Sequence, residues 1–323
     1  MKTYQNDNIN FFNGDSLNMY DKWETPTVII SDGPYGVSGF KGDLVSYKNL
    51  DNWYEPHIAA WSQKSTPQTT LWFWNTEIGW ATVHPVLKKY GWEYKCCNIW
   101  DKGKSHIAGA TNTKTLSKLP ISTEVCVQYV LSPKFTVDSS IMSMQEWLIY
   151  EWKRTGLPFS KTNEACGVVN AATRKYFTKC HLWYKPPADA FEKIVEYANK
   201  YGKKESAPYF SINGKSSLTR DEWEQLSPKF YCKFGLTNVW TLPQLSGSER
   251  IKNGLKAVHL NQKPLTLIEQ IIEMSSDKKD VIWDPFAGLA TTAIACKNLD
   301  RKCYSAEINE EIYKQAIKRL LPL

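Results

Sequence analysis

The sequence predicts an α/β protein. Its mostly parallel, doubly wound sheet is assembled from the two ends of the chain, with a largely helical segment inserted between them. Three observations lead there. Short apolar runs alternate with amphipathic segments at both ends of the 323-residue chain. The alternation breaks between about 135 and 245. Near the far end a buried run, "DVIWDPFAG", turns on small residues into a helix. The expected divisions are therefore 1–134, 135–245 and 246–323.

The elements follow in order. "NINFF" (8–12), "PTVIIS" (26–31) and "TTLWFWN" (69–75) are rich in β-branched and aromatic residues and read as strands. Helices are expected at about 55–63 and 79–90, followed by strands at "YKCCNIWDK" (94–102) and "EVCVQYVL" (124–131). Trp72 and Trp74 share one strand face, which favours core packing. In the middle segment, residues 143–156 carry apolar side chains at helical spacing. "SKTNEACG" reads as a short helix stopped by Gly167, and "NAATRKYFTK" (170–179) as a third helix capped by Asn170. Helix, turn and basic helix outline a helix-turn-helix, with Arg174, Lys175 and Lys179 able to face phosphates; an ordinary helical bundle is the alternative. Beyond 250 come a helix (261–276), a strand into a glycine turn (280–288), a helix (289–299), a strand (302–308) and a last helix (309–320).

Composition narrows the function. No run of about 18 apolar residues is available to span a bilayer, and the first residues are polar, so a cytoplasmic protein is expected. The eight cysteines form no C-x-x-C and the five histidines are scattered, which argues against a metal site. A net charge of +7 and 14 tryptophans suit a polyanionic partner with bases to stack on, although both also fit an ordinary surface and core. No G-x-x-x-x-G-K-[ST] is present, and none of the 16 prolines precedes a cysteine. ATP hydrolysis and thiolate attack on a base carbon are thus not expected.

The chemistry lies in two stretches. In "WDPFAGLATTAIACKNLDRKCYSAEINEEI" a strand, a small-residue turn, a helix and a second strand end on Glu307, 19 positions after Gly288. A ligand can approach the backbone at such a turn, and the acid can accept from both hydroxyls of a ribose. In "SDGPYG" (31–36) a buried strand ends on an acid, a glycine, a proline and a tyrosine.

Together these stretches resemble the amino-group DNA methyltransferases. "DPFAG…TT", preceded by "NQKPLTLIEQII" and followed by "YSAEIN", is similar to their S-adenosylmethionine-binding region. "SDGPYG" resembles their D-P-P-Y or S-P-P-Y motif, and "INFFNGDSL" (9–17) carries an acid, Asp15, at the position of one near the cofactor. Catalytic motif first, recognition segment in the middle and cofactor motif last is the permuted β-group order. The resemblance implies a Rossmann-like, S-adenosylmethionine-dependent methyltransferase core with an inserted target-recognition domain. It implies Asp32, Gly33, Pro34 and Tyr35 as the catalytic set. Asp15, Lys263, Asp284, Pro285, Phe286, Ala287, Gly288, Ala290, Thr291 and Glu307 are implied for the cofactor. Two positions depart from the family: Gly33 stands for the first motif proline, and Ala290 for the last glycine of F-x-G-x-G.

In that reading Asp32 and the Gly33 carbonyl accept hydrogen bonds from an exocyclic amine and free its lone pair, while Tyr35 stacks on the flipped base. Asp in the first motif position favours adenine N6, with cytosine N4 as the alternative. A non-catalytic DNA-binding regulator on the same fold, or an RNA methylase, would be a different outcome. The polar loop 101–118 supplies Lys102, Lys104 and Lys114 as candidate DNA contacts, and "GFKGD" (39–43) a flap. Double-stranded DNA is the expected partner, with a separately encoded restriction endonuclease implied by the family and a homodimer compatible with it.

Overall fold

The computed structural model describes residues 2–37, 43, 46–103, 116–245, 250–253, 256–257 and 262–321. Its elements begin with β1 (Lys2–Gln5), β2 (Ile9–Asn13), β3 (Val28–Ser31), α1 (Leu50–Lys64), β4 (Thr70–Asn75), α2 (Glu77–Lys89), β5 (Trp92–Asp101) and β6 (Thr123–Leu131). There follow β7 (Lys134–Val137), β8 (Ser140–Ser143), α3 (Met144–Arg154), α4 (Thr162–Cys166), α5 (Ala188–Tyr201) and α6 (Arg220–Gln225). The chain closes with β9 (Val239–Thr241), a small hairpin of β10 (Lys252–Asn253) and β11 (Lys256–Ala257), α7 (Leu265–Ser275), β12 (Val281–Asp284), α8 (Thr291–Leu299), β13 (Lys302–Glu307) and α9 (Glu310–Leu320).

Two compact units are present: residues 1–131 with 228–323, and residues 132–227. The first is built on a nine-stranded sheet in the order β1-β2-β13-β12-β3-β4-β6-β5-β9. β2, β13, β12, β3 and β4 run parallel, so strands from opposite ends of the chain interleave. β6 lies antiparallel between β4 and β5. Side chains alternate as a sheet covered on both faces requires. Val28 and Ile30 pack under α7, α8 and α9 with Ile271, Ala293 and Tyr313. Ile29, Leu71 and Phe73 pack under α1 and α2 with Ile58, Trp61 and Leu87. Trp72 and Trp74 join the first of these cores beside Trp240, the packing role expected for them.

Sequence expectations and structure part company in four places. The inserted unit ends at 227 rather than 245, because β9 returns to the sheet and pairs with β5 at Ile99 and Val239. β1 was not anticipated; its polar, exposed residues become a strand only by pairing with β2. The β7–β8 hairpin was not anticipated either; it is held by antiparallel pairing and by Phe135, buried against Trp147. The third helix of the expected helix-turn-helix does not form. Asn170 has φ +57°, in the left-handed region, and caps nothing; the chain makes only a 3₁₀ turn at Thr173–Phe177. Tyr176 and Phe177 anchor that turn in the unit's core, with Phe177 stacked on Trp152 at 4.6 Å. Arg174 and Lys179 are exposed and Lys175 half-buried, with Lys179 3.9 Å from Glu146. They no longer sit on a recognition helix. Gly167 does end α4 at φ +67°, as expected.

Candidate active site

β3 and β12 are neighbours in the sheet, in parallel register at Val28 with Ile282 and Ile29 with Trp283. Their carboxyl ends therefore lie side by side. One carries Asp32-Gly33-Pro34-Tyr35 and the other Asp284-Pro285-Phe286-Ala287-Gly288. Contact between them is tight. A Cβ built on Gly33 would lie 2.5 Å from the Tyr54 hydroxyl and 2.8 Å from the Phe286 ring. The departure from the proline motif is thus local packing: no side chain fits between α1 and the turn after β12. Pro34 is held from the other side. Its carbonyl accepts from the Tyr54 hydroxyl at 3.2 Å and from Asn75 Nδ2 at 3.1 Å.

Asp32 projects into a buried charge cluster. Lys263, just before α7, donates to both Asp32 oxygens at 2.8 and 2.9 Å and to the Tyr35 hydroxyl at 3.0 Å. The Tyr35 hydroxyl lies 2.8 Å from Asp32 Oδ1 and 3.0 Å from Glu124 Oε2. Glu124, the second residue of β6, also meets Lys102 Nζ at 2.7 Å. Tyr35, Trp74 and Trp100 wall the Lys263 ammonium at 5.3, 5.1 and 6.0 Å. Burial alone would raise the Glu124 carboxyl, but Lys263 and Lys102 overcome it and bring its pKa down to about 2. Burial likewise works against a charged Lys263, yet Asp32 and Glu124 raise its pKa above the ordinary lysine value. Burial, then Asp32 and Glu124, push the Tyr35 phenol well up.

Three expectations change here. Lys102 is not a surface contact for DNA; it is 8% exposed and ion-paired to Glu124. Lys263, expected at the cofactor, sits on Asp32. Tyr35 is 6% exposed with its hydroxyl committed to the cluster, so its ring offers no open face for a base. Lys104, Lys114 and residues 39–42 of the expected flap lie outside the described residues; Asp43 accepts from the Gly36 and Val37 amides at 2.8 and 3.3 Å.

On the β12 side, Glu307 at the end of β13 accepts from the Gly288 amide at 3.0 Å and the Asn309 amide at 2.7 Å. Asp15 is brought alongside because β2 pairs with β13, the Gly14 amide donating to the Glu307 carbonyl at 3.0 Å. Asp15 also caps a 3₁₀ turn by accepting from Leu17. Gly288 has φ +51° and Ala290 φ +59°, so the alanine takes the left-handed conformation a glycine would take freely, at a cost of roughly 1–2 kcal/mol. Thr291, buried, opens α8. Phe286 packs in an aromatic wall with Trp53, Tyr54 and His57 at 5.4, 6.1 and 5.1 Å. His57 accepts or donates at the Tyr20 hydroxyl, 2.8 Å away, and burial lowers its pKa to about 4.

Two buried acids border this turn. Burial raises the Asp284 pKa to about 7, against Thr292 and Phe286 hydrogen bonds that lower it, with Asp32 adding repulsion. Burial also raises Glu307. A cationic, hydroxyl-bearing ligand would relieve both: its charge would favour ionised Asp284, and its hydroxyls would donate to Glu307. S-Adenosylmethionine has these features.

Comparison with known proteins decides the family. Residues 27–318 match the family model of the N6/N4 methyltransferases, described as DNA methylase. The chain belongs to this DNA methylase family. It is 23% identical to the type II methyltransferase M2.MboI of Moraxella bovis over 319 residues, 97% of this chain and 87% of that one. It is 39% identical to M.HindIII of Haemophilus influenzae over 71 residues, 22% of this chain and 23% of the relative, so that match spans about a quarter of the relative's length. Its fold is that of the M1.HpyAVI–SAM complex (TM-score 0.51, 16% identity, 97% and 100% coverage). It is equally that of the cytosine-N4-specific PvuII DNA methyltransferase (TM-score 0.55, 12% identity, 99% and 88% coverage). Within this DNA methylase, sequence reasoning missed Glu124, Tyr54 and Asn75. Their signals were faint: an acid opening an apolar strand, a tyrosine on the first helix, and an asparagine ending "LWFWN".

Two predictions follow from this geometry. Gly33→Ala should destabilise the protein by about 1–3 kcal/mol, read by thermal or urea unfolding, with Gly33→Ala/Tyr54→Phe recovering part of the loss. Asp284 holds a proton in the folded state that it loses when unfolded. Its contribution to stability is therefore greatest below about pH 4 and declines as pH rises toward about 7. Titration of S-adenosylmethionine near pH 6 in buffers of different ionisation enthalpy should show proton release in the wild type, reduced in Asp284→Asn.

Proposed function

We propose that this protein transfers a methyl group from S-adenosylmethionine to the exocyclic amine of a base turned out of double-stranded DNA, with adenine N6 as the target. The observation that carries the reading is the packing of Phe286 on Gly33, which joins an acid-tipped turn to a turn suited to a nucleoside cation. When bound, the cofactor supplies an electrophilic methyl on a sulfonium. The residues to hold it are Asp284, Pro285, Phe286, Ala287, Gly288, Ala290 and Thr291 at the turn, Glu307 at the ribose hydroxyls, and Asp15 beside them.

The chain's own part is to orient the amine. Asp32 accepts one N–H. The Gly33 carbonyl accepts the other, since the Pro34 carbonyl already takes two side-chain donors. Two acceptors on one nitrogen favour the pyramidal geometry in which its lone pair leaves the ring. Positioning then supplies most of the rate. Lys263 gives Asp32 a counter-charge inside the core, donating to both of its oxygens.

The choice of adenine rests on Asp32 standing where cytosine-N4 enzymes more often have serine, and cytosine N4 is the second reading. A separately encoded restriction endonuclease, a cytoplasmic location and a homodimer complete the proposal. Digesting enzyme-treated DNA to nucleosides, followed by mass analysis, should yield N6-methyl-2′-deoxyadenosine; N4-methyl-2′-deoxycytidine would replace the first reading with the second. Asp32→Ala should lower kcat by at least about 100-fold while leaving S-adenosylmethionine affinity within about threefold. Loss of both together would assign Asp32 to folding.

A further inference from the structure

The methyl-transfer reading leaves a difficulty at Asp32. Its two oxygens are both engaged by Lys263, yet the amine needs one of them. The cluster around them holds more acceptor contacts than hydrogens. Lys263 has three N–H bonds and faces at least four acceptors: both Asp32 oxygens, the Tyr35 oxygen, and Glu124 Oε2 at 3.3 Å. Tyr35 has one O–H and two carboxylates within 2.8 and 3.0 Å. A hydrogen given to Glu124 is one withdrawn from Asp32. The site is enclosed, with side-chain exposures of 3% for Lys263 and 12% for Glu124, so water does not readily substitute for the missing partner. Lys102 fixes Glu124 from the far side at 2.7 Å and leaves the two acids and two lysines balanced in charge.

Resting on that reading, we propose that Glu124 is a positioning residue for methyl transfer. It competes with Asp32 for the Lys263 ammonium and the Tyr35 hydroxyl, so that one Asp32 oxygen is released when the target amine arrives. Lys263 has 3.3 Å to Glu124 against 2.8 Å to Asp32, and a shift of a few tenths of an ångström exchanges the two. The amine's N–H then replaces a Lys263 N–H on Asp32, and every charge in the core stays paired throughout. Tyr35 accordingly acts through its hydroxyl. Without Glu124, Lys263 and Tyr35 both close on Asp32 and hold it as a plain ion pair.

The test uses the full-length protein, tritiated S-adenosylmethionine, and DNA from a methylation-deficient bacterium as acceptor. Glu124→Gln should lower kcat about 10- to 100-fold with S-adenosylmethionine affinity within twofold. The alkaline limb of its kcat–pH profile should move to lower pH. Among the described residues, the groups facing Lys263 are Asp32, Tyr35, Glu124, Lys102 and Cys126, with Asp284 beyond Asp32, and Glu124→Gln removes one of two carboxylates that raise the Lys263 pKa. Glu124→Asp should restore most of the rate. A folded Glu124→Gln with wild-type kcat and an unmoved alkaline limb overturns the proposal. Should that variant fail to fold, Lys102→Gln/Glu124→Gln removes the pair together; the same loss of kcat with S-adenosylmethionine affinity kept supports the proposal, and a wild-type kcat defeats it. A wild type that transfers no methyl removes the reading and this inference together, whereas an active wild type with an indifferent Glu124→Gln removes the inference alone.

Discussion

The Phe286 ring lies so close to Gly33 that one added carbon would overlap it, and the site depends on that contact. Parallel pairing of β3 with β12 brings two turns from opposite ends of the chain to one edge of the sheet. Pairing alone leaves their separation undetermined. The aromatic wall of α1 closes it: Tyr54 reaches the Pro34 carbonyl, Trp53 and His57 flank Phe286, and Gly33 is the one residue small enough to lie between. A family position usually given to proline is here given to glycine, and the stiffness proline would add to the turn comes instead from Tyr54 and Asn75.

Charge is handled with the same economy of partners. An isolated carboxylate or ammonium in a protein core is so costly that it neutralises. Here two acids and two lysines enter together beside a phenol, and each member has a counter-charge. On the β12 side no such partner is present for Asp284 among the described residues, and its pKa rises to about 7. Asp32 thus meets a cation supplied by the chain itself, while Asp284 is left to receive one from a ligand.

The parts of the fold legible in the sequence were those written locally. Val28–Ile30, Leu71–Trp74 and Ile282–Trp283 are apolar runs bounded by polar or glycine-bearing turns, and their strand character needs no long-range knowledge. The acids after the first and last of these runs, Asp32 and Asp284, are visible for the same reason. Partnerships were not legible. Lys102 sits next to a polar loop and reads as solvated; it is buried by Glu124, 22 residues on, across an antiparallel strand pair. Lys263 reads as part of a helix start, and its partner Asp32 is 231 positions away. The expected basic helix at 170–179 had good local propensity, but Tyr176 and Phe177 are held in a core that a continuous helix would not have placed them in. Tertiary packing overrode propensity there, as it did in making β1 from exposed polar residues.

The central claim is that the acid tip after β3 and the cofactor turn after β12 form one site. A crystal structure of the wild-type protein with S-adenosylmethionine tests it most directly. The account predicts ribose hydroxyls on Glu307 and the sulfonium methyl directed at the Asp32 carboxylate, within a few ångströms of it. A cofactor seated elsewhere on the sheet edge, or with its methyl turned away from Asp32, would contradict it.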